Sequence, residues 1–186
     1  MTAPVVRDVD IVTGNRTVTT ATPGTTETAT ETSGGSAITV LDSATTTGAN
    51  MRTAVVTAGA NSTVILSGTF NTTATTMVQS GQTIIGGGTL AVRSPSGRTA
   101  TLTLSGATVS ATIGAGTGDG GGSSNPSFYM DNNSTLTGLT INITRSAGRG
   151  AMGVVAKDIS GATISGNTIT GTETGKSAGV GILLSS

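Results

Sequence analysis

The chain has 186 residues and no net formal charge, because nine Lys and Arg balance nine Asp and Glu. It contains no Cys and no His, which excludes disulfides and thiolate zinc sites and removes the usual general base. No segment concentrates Lys or Arg beside aromatic residues and no run has the length of a membrane span, so neither a nucleic-acid partner nor a membrane span is expected. Thr and Ser make up roughly a third of the chain and 2% is aromatic, which predicts β-strands around a narrow aliphatic core, with almost no helix.

Residues 1–50 are polar and rich in Thr, with turn signals at Thr22-Pro-Gly24 and Ser33-Gly-Gly35. Two short stretches, 9–12 and 37–41, alternate as strands do. We predict an N-terminal extension or particle-attachment segment with a few short strands, the alternative being a mobile stalk. No secretory signal follows Met1, which suits a virion component released by lysis.

A repeat begins near Thr53 and predicts that residues 51–186 form a solenoid. An aliphatic residue, a small residue (Ile in one copy) and a Gly recur in five copies, which end at Gly68, Gly86, Gly106, Gly138 and Gly161. The intervals are 18, 20, 32 and 23 residues, and the last two copies align Leu136 with Ile159. A period of about 20 residues is typical of stacked coils that bury their apolar sides against one another. A Gly-rich loop at 114–126 accounts for the long interval.

Three segments resemble the pectate-lyase-like superfamily of right-handed parallel β-helices. Residues 61–70 and 82–90 resemble its opening turns, and residues 159–169 resemble its later turns, in which an Asn often occupies the tight bend. The resemblance covers roughly residues 53–186 and implies an all-β right-handed parallel β-helix. It leaves the function open, because the superfamily includes polysaccharide lyases and hydrolases, surface adhesins and phage tailspikes.

The solenoid region has few side chains that suit acid–base chemistry. Its carboxylates are Asp119, Asp131, Asp158 and Glu173, and glycoside hydrolysis needs two of them facing each other across the scissile bond. The 23-residue offset places Asp131 opposite Val154 and Asp158 opposite Thr135, so these two are not expected to stack. Superfamily lyases use clustered Asp with calcium and an Arg base, but no Asp cluster accompanies the Arg residues here. We expect no catalytic site, no metal and no cofactor.

The segment Phe128-Tyr-Met130 is unusual in a chain so poor in aromatic residues. Tyr129 beside Asp131 and Asn132 is a candidate for stacking against a sugar ring. At least Phe128 or Met130 is expected to point inward, because the coil has to resume after the Gly-rich loop.

These patterns favour a structural or attachment role. The leading hypothesis is a virion tail-fibre or tailspike component whose N-terminus joins other virion proteins and whose coil projects toward a cell-surface glycan. The alternatives are a bacterial surface adhesin or filament subunit, which would be extracellular, and a fragment of a polysaccharide-degrading enzyme. Similar tail-fibre proteins are commonly homotrimers, so a trimer is favoured. The segment 179–186 reads as a strand without a polar cap, and we expect another chain, self-association or further residues to cover this end.

Overall fold

The computed structural model describes residues 9–11, 16–19, 28–31, 38–93, 99–113, 126–145, 152–172 and 180–185. Most of these residues are in strands, and one α-helix, α1 (Gly48–Ala58), lies among them. The strands in chain order are β1 (Val9–Ile11), β2 (Arg16–Thr19), β3 (Thr28–Glu31), β4 (Ile38–Asp42), β5 (Thr63–Thr72), β6 (Thr76–Met77), β7 (Thr83–Ile85), β8 (Gly87–Arg93), β9 (Thr99–Ser105), β10 (Ala107–Ile113), β11 (Pro126–Tyr129), β12 (Thr135–Thr137), β13 (Leu139–Arg145), β14 (Met152–Lys157), β15 (Thr163–Ser165), β16 (Thr168–Thr172) and β17 (Val180–Ser185). The predicted all-β class is confirmed.

Parallel strands form three ladders. Ladder 1 contains β4, β5, β7, β12 and β15. Ladder 2 contains the second half of β5 with β10, β13 and β16. Ladder 3 contains β6, β11, β14 and β17. Strand β5 belongs to two ladders because it bends at Gly68, whose positive φ of 87° is a conformation that Gly adopts without a steric cost.

The chain visits the three ladders in the same order each time. It passes through β7, β10 and β11, then through β12, β13 and β14, and then through β15, β16 and β17. Each strand pairs in parallel with its counterpart in the previous pass. Parallel neighbours require a crossover between them, and here each crossover is formed by the strands of the other two ladders.

The last two passes have a different register from the one that the repeat suggested. Leu136 pairs with Ile164 and Ile141 pairs with Ile169, and equivalent residues are 28 positions apart. The expected alignment of Leu136 with Ile159, at an interval of 23 residues, is therefore wrong.

The error has a structural cause, because a short motif ending in Gly occurs at two different corners. Gly138 precedes β13, at the corner between ladders 1 and 2, whereas Gly161 precedes β15, at the corner between ladders 3 and 1. The copy ending at Gly106 is different again, since its Leu104 lies on β9 and pairs antiparallel with Gly88 in β8. The repeat therefore combined positions that are not equivalent in the fold.

The core is the narrow aliphatic one that composition predicts. Side chains from successive strands of each ladder are stacked and almost fully buried; they are Val64, Ile84 and Leu136 in ladder 1, Phe70, Val109 and Ile141 in ladder 2, and Phe128 and Val154 in ladder 3. Phe128 and Met130 are both buried in this cluster, which confirms that at least one of them points inward.

Helix α1 lies at the first end of the stack, where it contacts β4, β5 and β6. The Thr47 side chain caps it by accepting a hydrogen bond from the Asn50 backbone N–H at 3.2 Å. Met51 and Val55, one helical turn apart, are fully buried in the common core. Helix α1 spans residue 50, where we predicted the boundary between the N-terminal segment and residues 51–186. The position of that boundary stays a prediction.

The N-terminal strands join the same sheet system. The stretches expected to form strands at 9–12 and 37–41 are confirmed as β1 and β4, within a residue at each end. β3 pairs antiparallel with β4, and β1 pairs antiparallel with β2 and with β8. β8 and β9 form a hairpin inserted between β7 and β10. Of the predicted Gly-rich loop, residues 114–125 lie outside the described residues and Pro126 begins β11.

Candidate binding faces

The predicted sugar-binding residues lie at the end of β11 and at the corner that follows it. Tyr129 is half-buried and pairs with Met77 on one side and Val155 on the other. Asp131 and Asn132 are half-buried within the corner. The structure therefore places Tyr129 on a sheet and the two polar residues on a bend, close in sequence but in different local environments.

Asn132 uses its polar atoms to hold neighbouring turns together. Its Oδ1 accepts a hydrogen bond from the Ser160 backbone N–H at 2.9 Å, and its backbone oxygen accepts from the Gly81 N–H at 2.8 Å and the Ser80 hydroxyl at 3.2 Å. Its side-chain amide donates to Asp131 Oδ1 at 3.2 Å, and its backbone N–H donates to the same oxygen at 2.6 Å. These bonds give Asp131 and Asn132 a structural role at the corner, and sugar binding there stays a prediction.

The corrected register changes the placement of the carboxylates. Asp131 lies between β11 and β12, and Asp158 lies between β14 and β15, so both occupy the same corner in successive passes. The expected positions opposite Val154 and Thr135 are wrong, because those followed from the 23-residue offset. Asp158 is exposed and pairs with Lys157 Nζ at 3.8 Å, an exposed ion pair that contributes little to stability.

The other carboxylates of residues 51–186, Asp119 and Glu173, lie outside the described residues. Within the described ranges, no group of three or more Asp and Glu residues lies close enough to hold a metal ion. No helix in that part of the chain is long and apolar enough to span a membrane.

The outer side of ladder 2 carries only hydroxyl and amide side chains at eleven paired positions. We name it the hydroxyl–amide face; its residues are Thr69, Thr108, Thr140 and Thr168 in one row, Asn71, Ser110, Asn142 and Thr170 in the next, and Thr112, Thr144 and Thr172 in the third. They alternate with the buried residues of the same strands, among them Val109 and Ile141. The alternation in the segment 140–144 was the available sequence signal, but Thr is so abundant along the chain that it did not stand out.

The last pass leaves apolar side chains uncovered. Ile182 and Leu184 pair with Val154 and Ala156. Val154 and Ala156 are 0% and 6% exposed, whereas Ile182 and Leu184 are 44% and 70% exposed. A depression of about 360 Å³ at this end is lined by Ala156, Ile159, Gly161, Ala162, Leu184 and Ser185. Within the described residues, β15, β16 and β17 each pair with a strand on one side only.

Comparisons with known proteins add no relative: no family model, no curated protein and no solved structure matches the chain.

Proposed function

We propose that the chain is a right-handed parallel β-helix that serves as a structural or attachment module of the tail-fibre or tailspike type, carried on a virion. The observation that supports this most directly is the repeated visit to ladders 1, 2 and 3 in a constant order, with parallel pairing at each. Parallel strands joined by crossovers are nearly always right-handed, which supports that hand for the coil.

A stack of this kind suits a projecting element. Backbone hydrogen bonds run from turn to turn, and each added turn extends the stack by about 4.8 Å. Small polar side chains on the outer surface, such as those of the hydroxyl–amide face, leave room for close contact with other molecules. We expect the N-terminal segment to join the particle and the outer faces or corners to meet the cell surface.

Engineered cysteines test the coil itself. The chain has no Cys, so a double variant carries only the thiols that are introduced. Thr140 and Thr168 are in register on adjacent strands. Neighbouring strands lie about 4.7–4.9 Å apart, which is within the Cα separation of about 4.4–6.8 Å that a disulfide needs. Thr140→Cys with Thr168→Cys should therefore cross-link on mild oxidation, detected as a shift on a non-reducing gel.

The matched control for the cross-link is Thr140→Cys with Thr163→Cys, which has the 23-residue spacing and joins different ladders. Efficient cross-linking of this control, or none of the registered pair, would contradict the coil.

An attachment role predicts that the chain binds a glycan without cleaving it. Antibody against the chain should label fibres on particles, and the chain should bind isolated capsular polysaccharide or lipopolysaccharide without releasing reducing ends or unsaturated products. The shared corner of Asp131 and Asp158 favours one second candidate, a polysaccharide-cleaving enzyme. Turnover that is lost in Asp131→Ala or Asp158→Ala, with folding unchanged, would establish that candidate and overturn the attachment role.

A further inference from the structure

The hydroxyl–amide face repeats in two dimensions. Ladder 2 keeps its register without interruption over seven residue pairs between β10 and β13 and over five between β13 and β16. Its rows therefore repeat about every 4.8 Å from strand to strand and about every 6.7 Å along a strand.

Most of these groups are available to solvent. Six Thr residues of the face are exposed: Thr69, Thr112, Thr144, Thr168, Thr170 and Thr172. Within the described part of the chain, the side-chain hydrogen bond found on this face runs from the Thr170 hydroxyl to Asn142 Oδ1 at 2.5 Å. That bond shows that side chains on neighbouring strands are spaced for hydrogen bonding. The remaining hydroxyls can hold water in the same arrangement.

We propose that the hydroxyl–amide face binds the surface of ice. Ice presents a flat, uncharged lattice of hydrogen-bonding groups, and its surface oxygens repeat at a distance close to the strand spacing. Each Thr offers a hydroxyl that can replace a lattice water and a methyl group that restricts the water beside it. Ordered water that bridges polar groups is nearly as favourable as a direct hydrogen bond. The rigid ladder loses little conformational entropy on binding.

The chemistry of the face disfavours other occupants. Soluble sugars and other small ligands bind in concave sites that are mostly apolar and aromatic, whereas this face is an even ladder surface whose eleven positions hold only Thr, Asn and Ser. Interfaces between protein copies are enriched in aromatic residues, Met and Arg, and none occurs at these positions. The absence of charge also matters, because a charged group binds its own hydration shell strongly and cannot join a neutral lattice without losing it.

The test uses the full chain with a fluorescent label at its N-terminal amine. A polycrystalline ice shell is grown slowly in the solution, and the ratio of protein in the ice to protein in the liquid is measured. Growth of ice grains in frozen sucrose gives a second readout. We expect the unmodified chain to be enriched in the ice and to slow grain growth.

Three variants identify the face. Thr140→Lys places a charge in the first row of the face, between Thr108 and Thr168, and Thr140→Val removes the hydroxyl while keeping the shape. Thr163→Lys is the matched control, because Thr163 is exposed but lies on ladder 1. We expect Thr140→Lys to reduce ice partition at least about tenfold, which corresponds to about 1.4 kcal/mol, Thr140→Val to reduce it less, and Thr163→Lys to have no effect. Far-UV circular dichroism confirms that each variant is folded.

Two outcomes would overturn the proposal: exclusion of the unmodified chain from ice, and equal losses in Thr140→Lys and Thr163→Lys. Binding of a soluble glycan that Thr140→Lys abolishes, with no ice partition, would assign the face to a sugar instead. The proposed attachment role is independent of this result, because it is tested by fibre labelling and by the cross-link in the absence of ice.

Discussion

Replacing Gln82 should release helix α1 from the stack. Gln82 is fully buried, and its side-chain amide donates to the Val55 carbonyl oxygen and to the Ser62 hydroxyl, each at 2.8 Å, while its Oε1 accepts from the Gln79 backbone N–H at 3.0 Å. Val55 lies in the last turn of α1, where carbonyl groups lack partners within the helix. Gln82→Leu keeps much of the volume but removes these hydrogen bonds.

The magnitude follows from the groups left behind. The buried Val55 carbonyl and the partly buried Gln79 N–H lose the partner that Gln82 supplied; a buried group left without a partner costs about 1–3 kcal/mol, and a partly buried group costs less. We therefore expect Gln82→Leu to lower the free energy of unfolding by about 2 kcal/mol, out of the roughly 5–15 kcal/mol that is usual for a domain.

Urea denaturation followed by far-UV circular dichroism measures this change. Gln79→Leu is the matched control, because Gln79 contributes a backbone N–H to the network, which the substitution retains. Limited proteolysis should cut within α1 faster in Gln82→Leu than in the control. A loss of stability below about 1 kcal/mol, or an equal loss in both variants, would refute the reasoning that the hydrogen bonds of Gln82 hold the helix against the stack.

Two further predictions concern backbone contact and assembly. A Cβ at Gly138, whose φ is 69°, would collide with the backbone of Gly87, so Gly138→Ala should destabilise the chain by more than about 2 kcal/mol. Gly171 has open space around it, so the control Gly171→Ala should change stability little. Similar urea midpoints for the two variants would contradict this prediction. Sedimentation velocity should show that the unmodified chain is a trimer. Met77→Lys should dissociate it, because Met77 is 44% exposed beside Tyr129 on ladder 3, whereas Thr69→Lys should leave it intact. A monomer in the unmodified chain would oppose self-association.

Residue patterns were sufficient to predict the all-β class, the strands near residues 9–12 and 37–41, and the narrow aliphatic core. The alternation at 37–41 corresponds to β4, and Phe128 and Met130 are buried as expected. The Asn expected at a tight bend is Asn167, whose amide donates to the Leu136 carbonyl at 2.8 Å and whose Oδ1 accepts from the Leu139 N–H at 2.9 Å. The strand at 37–41 and the inward positions of Phe128 and Met130 follow from local alternation, which the sequence expresses directly, whereas the Asn at the bend followed from the family resemblance.

The register of the strands and the composition of the outer face depend on contacts between turns, and the sequence did not predict them. Gly138 and Gly161 both have positive φ and similar neighbours in sequence, yet they occupy different corners, because a bend needs Gly wherever the chain turns sharply. Helix α1 was not anticipated, since its Val and Thr residues favour strands and its burial depends on the end of the stack. The hydroxyl–amide face required the pairing of strands up to 39 residues apart, such as Gly68 and Ala107.

The β8–β9 hairpin adds residues to one pass of the chain through the three ladders. It occupies the corner between Ile85 and Ala107, yet Thr83 still pairs with Thr135 and Ala107 with Leu139. The hairpin therefore extends from this corner while the strands on either side of it keep their register. We expect a hairpin of different length at this corner to leave the strands on either side in register, so that the exposed surface can change here while the three ladders remain constant.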